Sequence, residues 1–163
     1  MARINVGIPV FRGEAFVAEE LESLRAQTFG DFTATVSIDG GDAHSAALCR
    51  RFESDPRFQV IVQPERLGFA RHLNWLEGRC TSEFFCYLGQ DDRLAPDYLA
   101  QLVAEADRHP EALVAYTSVR WFGFVDRTVA ERDITGTPLE RVLAQIAAWN
   151  WTALRSEEHT SEL

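Results

Sequence analysis

Two adjacent carboxylates, Asp91 and Asp92, are the residues of this chain whose types and spacing best suit chemistry. They follow Gly89 and the apolar run Phe84–Leu88, which is typical of a central strand buried on both faces. Adjacent carboxylates repel each other unless positive charge lies near them, and a divalent cation bound to a diphosphate would supply that charge. For an isolated pair, a charged loop that caps the next helix would be the better explanation.

Polar and turn residues at two other predicted strand ends favour a binding site. Pro9 and Val10 end the first apolar alternation of the chain, and Asp39 directly follows the second. The carboxyl ends of parallel strands meet at one edge of a sheet, where open α/β sheets bind their ligands. We therefore expect Asp39 and the pair Asp91–Asp92 to open onto one site.

The elements that must position these residues alternate along the chain. Apolar alternation and short apolar runs predict strands at residues 4–11, 32–38, 58–62, 84–88 and 113–119. Apolar residues at helical spacing predict helices at residues 15–28, 43–52, 69–79, 99–106 and 137–146. This alternation predicts an α/β fold with a mostly parallel central sheet flanked by helices.

Three details of these elements are also predicted. The apolar face of the first helix should contain Val17, Leu21 and Leu24, with Glu20 lying mostly off it. Asp42 should cap the second helix, because an aspartate side chain can accept hydrogen bonds from the first free N–H groups. His72 should be a surface or helix-end residue of the third helix and not a ligand.

Composition excludes some classes of partner. The net charge of −9 and the absence of a basic stripe argue against nucleic acid, but they leave a nucleotide open. No run approaches the ~20 apolar residues of a membrane span, and no secretory signal precedes the first strand. We expect a cytoplasmic protein, free or at the inner face of the membrane. The three cysteines have no paired spacing and should be reduced.

Four motifs in order resemble family 2 glycosyltransferases, which have the GT-A (Rossmann-like) fold and use nucleotide sugars. Val6–Phe11 and Leu21–Phe29 resemble the opening of the family. Ser37–Asp42 stands where the family has an Asp-Asp-Gly-Ser turn, and Gly68–Asn74 resembles its Gly-x-x-x-Ala-Arg-Asn segment. Leu88–Asp92 matches the metal-binding stretch, usually Leu-Asp-x-Asp-Asp. Each motif is weak alone, but the order and spacing of all four are specific.

The resemblance implies a nucleotide-sugar site. Pro9 and Val10 would line the base pocket, and Asp39 would accept a hydrogen bond from the edge of uracil or thymine. Arg71 would lie near the base or the diphosphate. The donor would be a UDP- or dTDP-sugar.

The resemblance also implies a metal site at the acid pair. Asp91 would hold the ribose hydroxyls, and Asp92 would bind Mn²⁺ or Mg²⁺ with Asp91 as the second available carboxylate. Carboxylates suit these hard cations, which keep water and diphosphate oxygens beside one or two of them. Gly89 replaces the first acid of the metal-binding stretch, and Ile38 replaces the first Asp of the earlier turn. We expect the loss at Gly89 to weaken metal affinity or to leave more of the shell to water.

The catalytic base is the largest gap in the resemblance. Family 2 enzymes invert the anomeric centre, with a carboxylate that deprotonates the acceptor hydroxyl. The acceptor itself is unknown. Asp126, Glu131 and Asp133 are candidate bases, but none has the family's sequence context. We expect the base to lie beyond the end of this chain, so that the chain binds the donor without transferring the sugar.

Two other functions compete with glycosyl transfer. A sugar-phosphate nucleotidyltransferase has a similar sheet, but it would need a Gly-rich, basic phosphate loop where Arg12–Glu14 stands. A non-catalytic nucleotide-sugar-binding module would explain Gly89 and the missing base. Binding of nucleotide with and without Mn²⁺ would separate these cases.

The C-terminal residues 155–163 match the translation of a common sequencing-library adapter. We therefore expect residues 1–154 to be one glycosyltransferase domain, incomplete at its C-terminal side, followed by a non-native tail. A short acidic disordered tail is the alternative.

Overall fold

A computed structural model describes residues 1–112, 114–115, 117–123, 126–129 and 137. The chain divides into two compact units, Met1–Leu113 and Val114–Leu163. The first unit contains β1 Ile4–Val10, α1 Val17–Arg25, β2 Phe32–Ile38, α2 Ala43–Arg50 with a short 3-10 helix Arg51–Ser54, β3 Phe58–Val62, α3 Phe69–Glu77, β4 Phe84–Tyr87 and α4 Tyr98–Arg108. The second unit contains an antiparallel pair, β5 Val119–Trp121 and β6 Arg127–Val129.

The first unit is built on a four-stranded sheet with the order β3-β2-β1-β4. All three pairings are parallel, and Val10 at the end of β1 lies opposite Ile38 at the end of β2. The strand ends that carry the predicted site residues therefore point to the same edge of the sheet. The α/β architecture with a parallel sheet flanked by helices is confirmed.

The core lies between the two inner strands and α1. Val6, Ile8 and Val36 are fully buried, and they belong to the same apolar cluster as Leu21 and Leu24 of α1. Burial of each such side chain stabilises the fold by about 1.5–3 kcal/mol relative to exposure. These contacts fix the sheet edge on which the site depends.

One strand prediction is confirmed in part, and one is wrong. The strand at Phe84–Tyr87 is an edge strand of the sheet that the described residues form, and its Tyr87 side chain is 42% exposed. An apolar run indicates burial but cannot show which neighbours a strand will have, and β1 and β2 are the inner strands here. The predicted strand at 113–119 has no strand residue among its described members before Val119, and Val114 is largely exposed.

The other local predictions differ in outcome. Asp42 is the N-cap of α2, and its side chain accepts a hydrogen bond from the Ser45 backbone N–H at 3.1 Å.

Apart from Thr137, the predicted final helix at 137–146 lies outside the described residues, as do the boundary at residue 154 and the tail. Within the described ranges, no helix is both long enough and apolar enough to cross a bilayer.

Candidate functional site

Asp39, at the end of β2, holds the loop that leads into α3. Its side chain is only 4% exposed. One carboxylate oxygen accepts the backbone N–H of Leu67 at 2.6 Å, and the other accepts that of Gly68 at 3.0 Å. Because hydrogen bonds to a charged acceptor are stronger than neutral ones, Asp39 fixes residues 67–68 relative to the end of the sheet.

Gly40 allows this loop to approach closely. Its φ is +75°, and a Cβ placed there would lie 3.3 Å from the backbone N and Cα of Arg66. The Arg66 guanidinium in turn lies 4.2 Å from the centroid of the Phe11 ring at the end of β1. The 64–68 loop is therefore packed against the ends of both inner strands.

Three buried polar side chains lie behind Asp39. The Ser37 hydroxyl accepts a hydrogen bond from Gln63 Nε2 at 2.9 Å and lies 2.7 Å from His72 Nε2. Burial lowers the pKa of His72. The expected surface position of His72 is wrong, because α3 turns His72 and Leu76 inward and leaves Phe69 79% exposed.

The end of β1 is fixed to the loop that carries the acid pair. Gln90 Oε1 accepts the backbone N–H of Phe11 at 2.8 Å, and Gln90 Nε2 donates to the carbonyl of Phe11 at 3.0 Å. Pro9 is partly exposed, whereas the Val10 side chain is fully buried in the core. Any contact of Val10 with a ligand would therefore come from its backbone.

Asp91 and Asp92 converge above Gly89. Both residues are exposed, and the Asp92 backbone N–H donates to the Gly89 carbonyl at 3.0 Å. A Cβ on Gly89 would lie 2.9 Å from Asp92 Oδ2 and 3.5 Å from Asp91 Oδ1. Desolvation of its carboxylate by the surrounding protein, followed by the charge of Asp91, raises the pKa of Asp92. The pair therefore carries an electrostatic cost that a bound cation would relieve.

Glu20 is a third carboxyl group near this pair, and its predicted position off the apolar face of α1 is wrong. It is only 1% exposed, and neither carboxyl oxygen has a hydrogen-bond partner in the described structure. Burial is the main cause that raises its pKa to about 9, followed by the charges of Asp92 and Asp91. The spacing of Glu20 to Val17 is one helical turn, so the sequence did contain a signal that both residues share a face.

The acid pair has the chemistry that Mg²⁺ or Mn²⁺ requires. Its carboxylate oxygens are hard donors that lie on the same side of Gly89. The two carboxyl oxygens of Glu20, on α1, are buried and have no hydrogen-bond partner in the described structure. No three acidic, histidine or cysteine side chains of the described residues are close enough together to hold a metal ion as they stand. The residues fit a site with two protein carboxylates and the remaining ligands from solvent or diphosphate.

Arg71 lies on the exposed face of α3. Its Nε donates to the carbonyl of Leu67 at 2.8 Å, within the segment that Asp39 also holds. Arg71 is thus attached to the same loop as Asp39, while its predicted contact with a base or diphosphate stays a prediction.

Of the three candidate bases, the described residues include Asp126. Asp126 belongs to the second unit, where it pairs with Arg120 at 2.9 Å, and this pairing lowers the pKa of Asp126. A carboxylate with a lowered pKa is a weaker proton acceptor. Glu131 and Asp133 lie outside the described residues.

A separate groove of about 760 Å³ lies between α1 and residues 48–52. It contains Arg25, Arg51 and Arg93, but neither Asp39 nor the acid pair. Arg93 and Glu19, which both line this groove, form an ion pair.

Curated relatives share sequence with this chain. The O-antigen biosynthesis protein RfbC of Myxococcus xanthus is 30% identical over 106 residues, which is 64% of this chain and 8% of RfbC. The chain spans between 8% and 38% of the length of the curated relatives that it matches.

Solved structures share the fold. The fragment of S. aureus TarS that spans residues 1–349 superposes with a TM-score of 0.66 at 20% identity, covering 83% of this chain and 40% of the fragment. The mannosyltransferase PcManGT of Pyrobaculum calidifontis, solved with GDP-Man and Mn²⁺, has a TM-score of 0.57 at 23% identity. That match covers 64% of this chain and 32% of PcManGT. The predicted GT-A fold is confirmed by these similarities.

The family follows from the sequence as a whole. The profile of glycosyl transferase family 2 matches residues 5–155, which include both strand ends that carry the acids. This chain belongs to glycosyl transferase family 2.

Proposed function

We propose that this chain binds a UDP- or dTDP-sugar and that the protein transfers the sugar to an acceptor hydroxyl with inversion. One observation carries this proposal: Asp91 and Asp92 converge above Gly89 at the sheet edge where Asp39 also lies. Such an arrangement suits a ligand that brings both a hydrogen-bonding base and a cation-binding diphosphate.

The nucleoside would bind at the ends of β1 and β2. Pro9 and the Val10 backbone line the base pocket, and Asp39 accepts a hydrogen bond from the base edge. Both Asp39 oxygens already accept one backbone N–H each, but an ionised carboxylate has about four lone-pair sites, so a further bond is available. Arg71 would lie beside the base or the diphosphate.

The diphosphate would bind at the acid pair. Asp91 holds the ribose hydroxyls, and Asp92 holds Mn²⁺ or Mg²⁺, with Asp91 as its second carboxylate. A divalent cation bound here would stabilise negative charge on the departing nucleoside diphosphate. Gln90 supports this role by tying the acid loop to the Phe11 backbone through two hydrogen bonds.

Similar proteins support the choice of donor and metal. TarS has been solved with UDP and with UDP-GlcNAc, and PcManGT with GDP-Man and Mn²⁺. RfbC is named for O-antigen biosynthesis, which favours an acceptor in polysaccharide assembly. At these identities the solved structures share the fold with this chain, so the choice of a uracil or thymine nucleotide rests on the proposed role of Asp39.

A nucleotide-sugar-binding module without transfer is the second candidate. It is favoured by Gly89, where the family has an acid, and by Asp126, whose carboxylate is paired with Arg120. Family membership counts against the third candidate, a sugar-phosphate nucleotidyltransferase.

Calorimetric titration of UDP with and without Mn²⁺ tests the proposal. We expect Mn²⁺ to tighten UDP binding to the wild type and Asp92→Ala to abolish that gain. Asp97→Ala, at an exposed acid before α4, is the control and should keep the gain. Equal UDP affinity in Mn²⁺ and in excess chelator would refute the metal role. Transfer of the sugar to an added acceptor would distinguish an enzyme from a binding module.

A further inference from the structure

Glu20 is an anomaly in the core of the first unit. Both of its carboxyl oxygens are buried without a hydrogen-bond partner in the described structure. An unpaired buried polar group costs folding free energy, and most proteins avoid it unless the group has another role. A leucine or methionine would fill the same place on α1 without that cost.

The position of Glu20 relates it to the acid pair. A Cβ on Gly13 would lie 3.1 Å from Gln90 Oε1 in the acid loop and 3.5 Å from the Cβ of Val17, one turn before Glu20, so this part of α1 packs beside that loop. The charges of Asp92 and Asp91 also raise the pKa of Glu20. The pair converges above Gly89, where the family's metal-binding stretch has another acid. This chain has therefore lost one carboxylate beside the pair and has an unexplained one nearby.

The helix that carries Glu20 is attached directly to the segment after the acid pair. Ser23 Oγ accepts the Leu94 backbone N–H at 3.1 Å. Gln27 donates to the Ala95 carbonyl at 2.7 Å and accepts the Leu99 N–H at 3.0 Å. These bonds fix α1 relative to residues 94–99, so a group on α1 can act as part of the same site.

We propose that Glu20 is the third carboxylate of the cation site, in place of the acid missing at position 89. The proposal rests on the proposed function, because it concerns the same cation. In the described arrangement the three acids are not yet close enough to hold an ion, so Glu20 turns toward the pair when the cation binds. Its side chain has three rotatable torsions, and a change of rotamer brings the carboxyl group toward the pair, where the cation displaces its proton.

Mn²⁺ titration of the full chain, followed by electron paramagnetic resonance with and without saturating UDP, tests the proposal. We expect Glu20→Gln to weaken Mn²⁺ binding by about 10- to 100-fold. Glu22→Gln makes the same substitution on the exposed, Arg25-paired face of α1 and should leave the affinity within about 2-fold of wild type. Unchanged Mn²⁺ affinity in Glu20→Gln would overturn the proposal.

Glu20→Asp separates direct binding from a long-range effect of charge. It keeps the carboxylate but shortens its reach by one methylene, so a direct ligand predicts weaker Mn²⁺ binding, as for Glu20→Gln. Wild-type affinity in Glu20→Asp would overturn direct binding. Thermal unfolding would establish that each variant is folded, and Glu20→Met offers a folded variant without the carboxyl.

The failure of this proposal differs from the failure of the proposed function. If the wild type binds UDP more tightly in Mn²⁺ and Glu20→Gln does the same, only the role of Glu20 is wrong. If the wild type binds neither UDP nor Mn²⁺, the proposed function and the role of Glu20 are both wrong.

Discussion

The ends of β2 and β4 carry the same type of side chain in opposite environments. Asp39, after β2, is buried and accepts two backbone N–H groups. Asp91 and Asp92, after β4, are exposed and lie beside each other, and the pKa of Asp92 is raised. The fold itself uses the Asp39 carboxylate as a hydrogen-bond acceptor, whereas the repulsion between Asp91 and Asp92 would be offset by a bound cation.

This difference assigns separate tasks to the two strand ends. The Asp39 carboxylate shapes the 64–68 loop before any ligand arrives, so its contribution is to the geometry of the pocket. The acid pair stores electrostatic repulsion that a cation removes, so its contribution appears on binding. In the proposed binding site, the end of β2 is therefore preorganised, whereas the end of β4 would be stabilised by its ligand.

The largest expected effect comes from Asp39→Asn. The amide keeps one acceptor oxygen but presents an NH₂ group to the second backbone N–H, so either Leu67 or Gly68 loses its acceptor. We expect a loss of about 2–3 kcal/mol in the free energy of unfolding. Urea denaturation would measure it as a lower midpoint with an unchanged slope.

Asp31→Asn is the matched control for that experiment. Asp31 is exposed at the start of β2, and the same change there should alter stability by less than about 0.5 kcal/mol. Equal stability of the two variants would show that the Asp39 carboxylate does not hold the loop.

The fold was predictable because its strands and helices follow simple patterns. The predicted bounds of β2 and β3 agree with the structure, and the alternation of elements gave a parallel sheet. Strand order was not predictable, because Phe84–Tyr87 is apolar enough for an inner strand but lies at the edge of the described sheet. Apolar content describes a strand's own residues and says nothing of its neighbours.

The site was predictable at the level of strand ends but not of its buried polar groups. Asp39 and Asp92 could be found from their places after strands. His72 and Glu20 were not predicted as buried, because hydrophobic periodicity assigns buried positions to apolar residues. His72 is buried with Ser37 as its partner, a contact that depends on tertiary structure. Glu20 is buried without a partner, and only its one-turn spacing to Val17 indicated this.

The second effect concerns the pH dependence of stability, which Glu20 should control. The pKa of Glu20 is about 9 in the folded chain against an ordinary value of 4.5, so the folded state keeps a proton that the unfolded state releases. Stability should therefore fall as the pH rises between these values. The slope should be about 1.4 kcal/mol per pH unit, the value for one proton.

Glu20→Gln should remove this slope, since its amide does not titrate. Urea denaturation of both proteins at several pH values, without metal, would measure the difference. Parallel curves for wild type and Glu20→Gln would contradict the prediction. This substitution removes the titration of Glu20 alone, because the repulsion between Asp91 and Asp92 is unchanged.

The smallest effect is expected from Asp92→Asn, and its sign should be opposite to that of Asp39→Asn. Removing the Asp92 charge ends its repulsion with Asp91, and we expect a gain of about 0.5 kcal/mol at neutral pH without metal. Because the raised pKa of Asp92 means that the folded state favours its protonated form, the gain should shrink as the pH falls through that pKa. Urea denaturation of wild type and variant across this range would measure it. A clear loss of stability in Asp92→Asn would mean that the acid pair, like Asp39, serves the fold, and the contrast between the two strand ends would then be wrong.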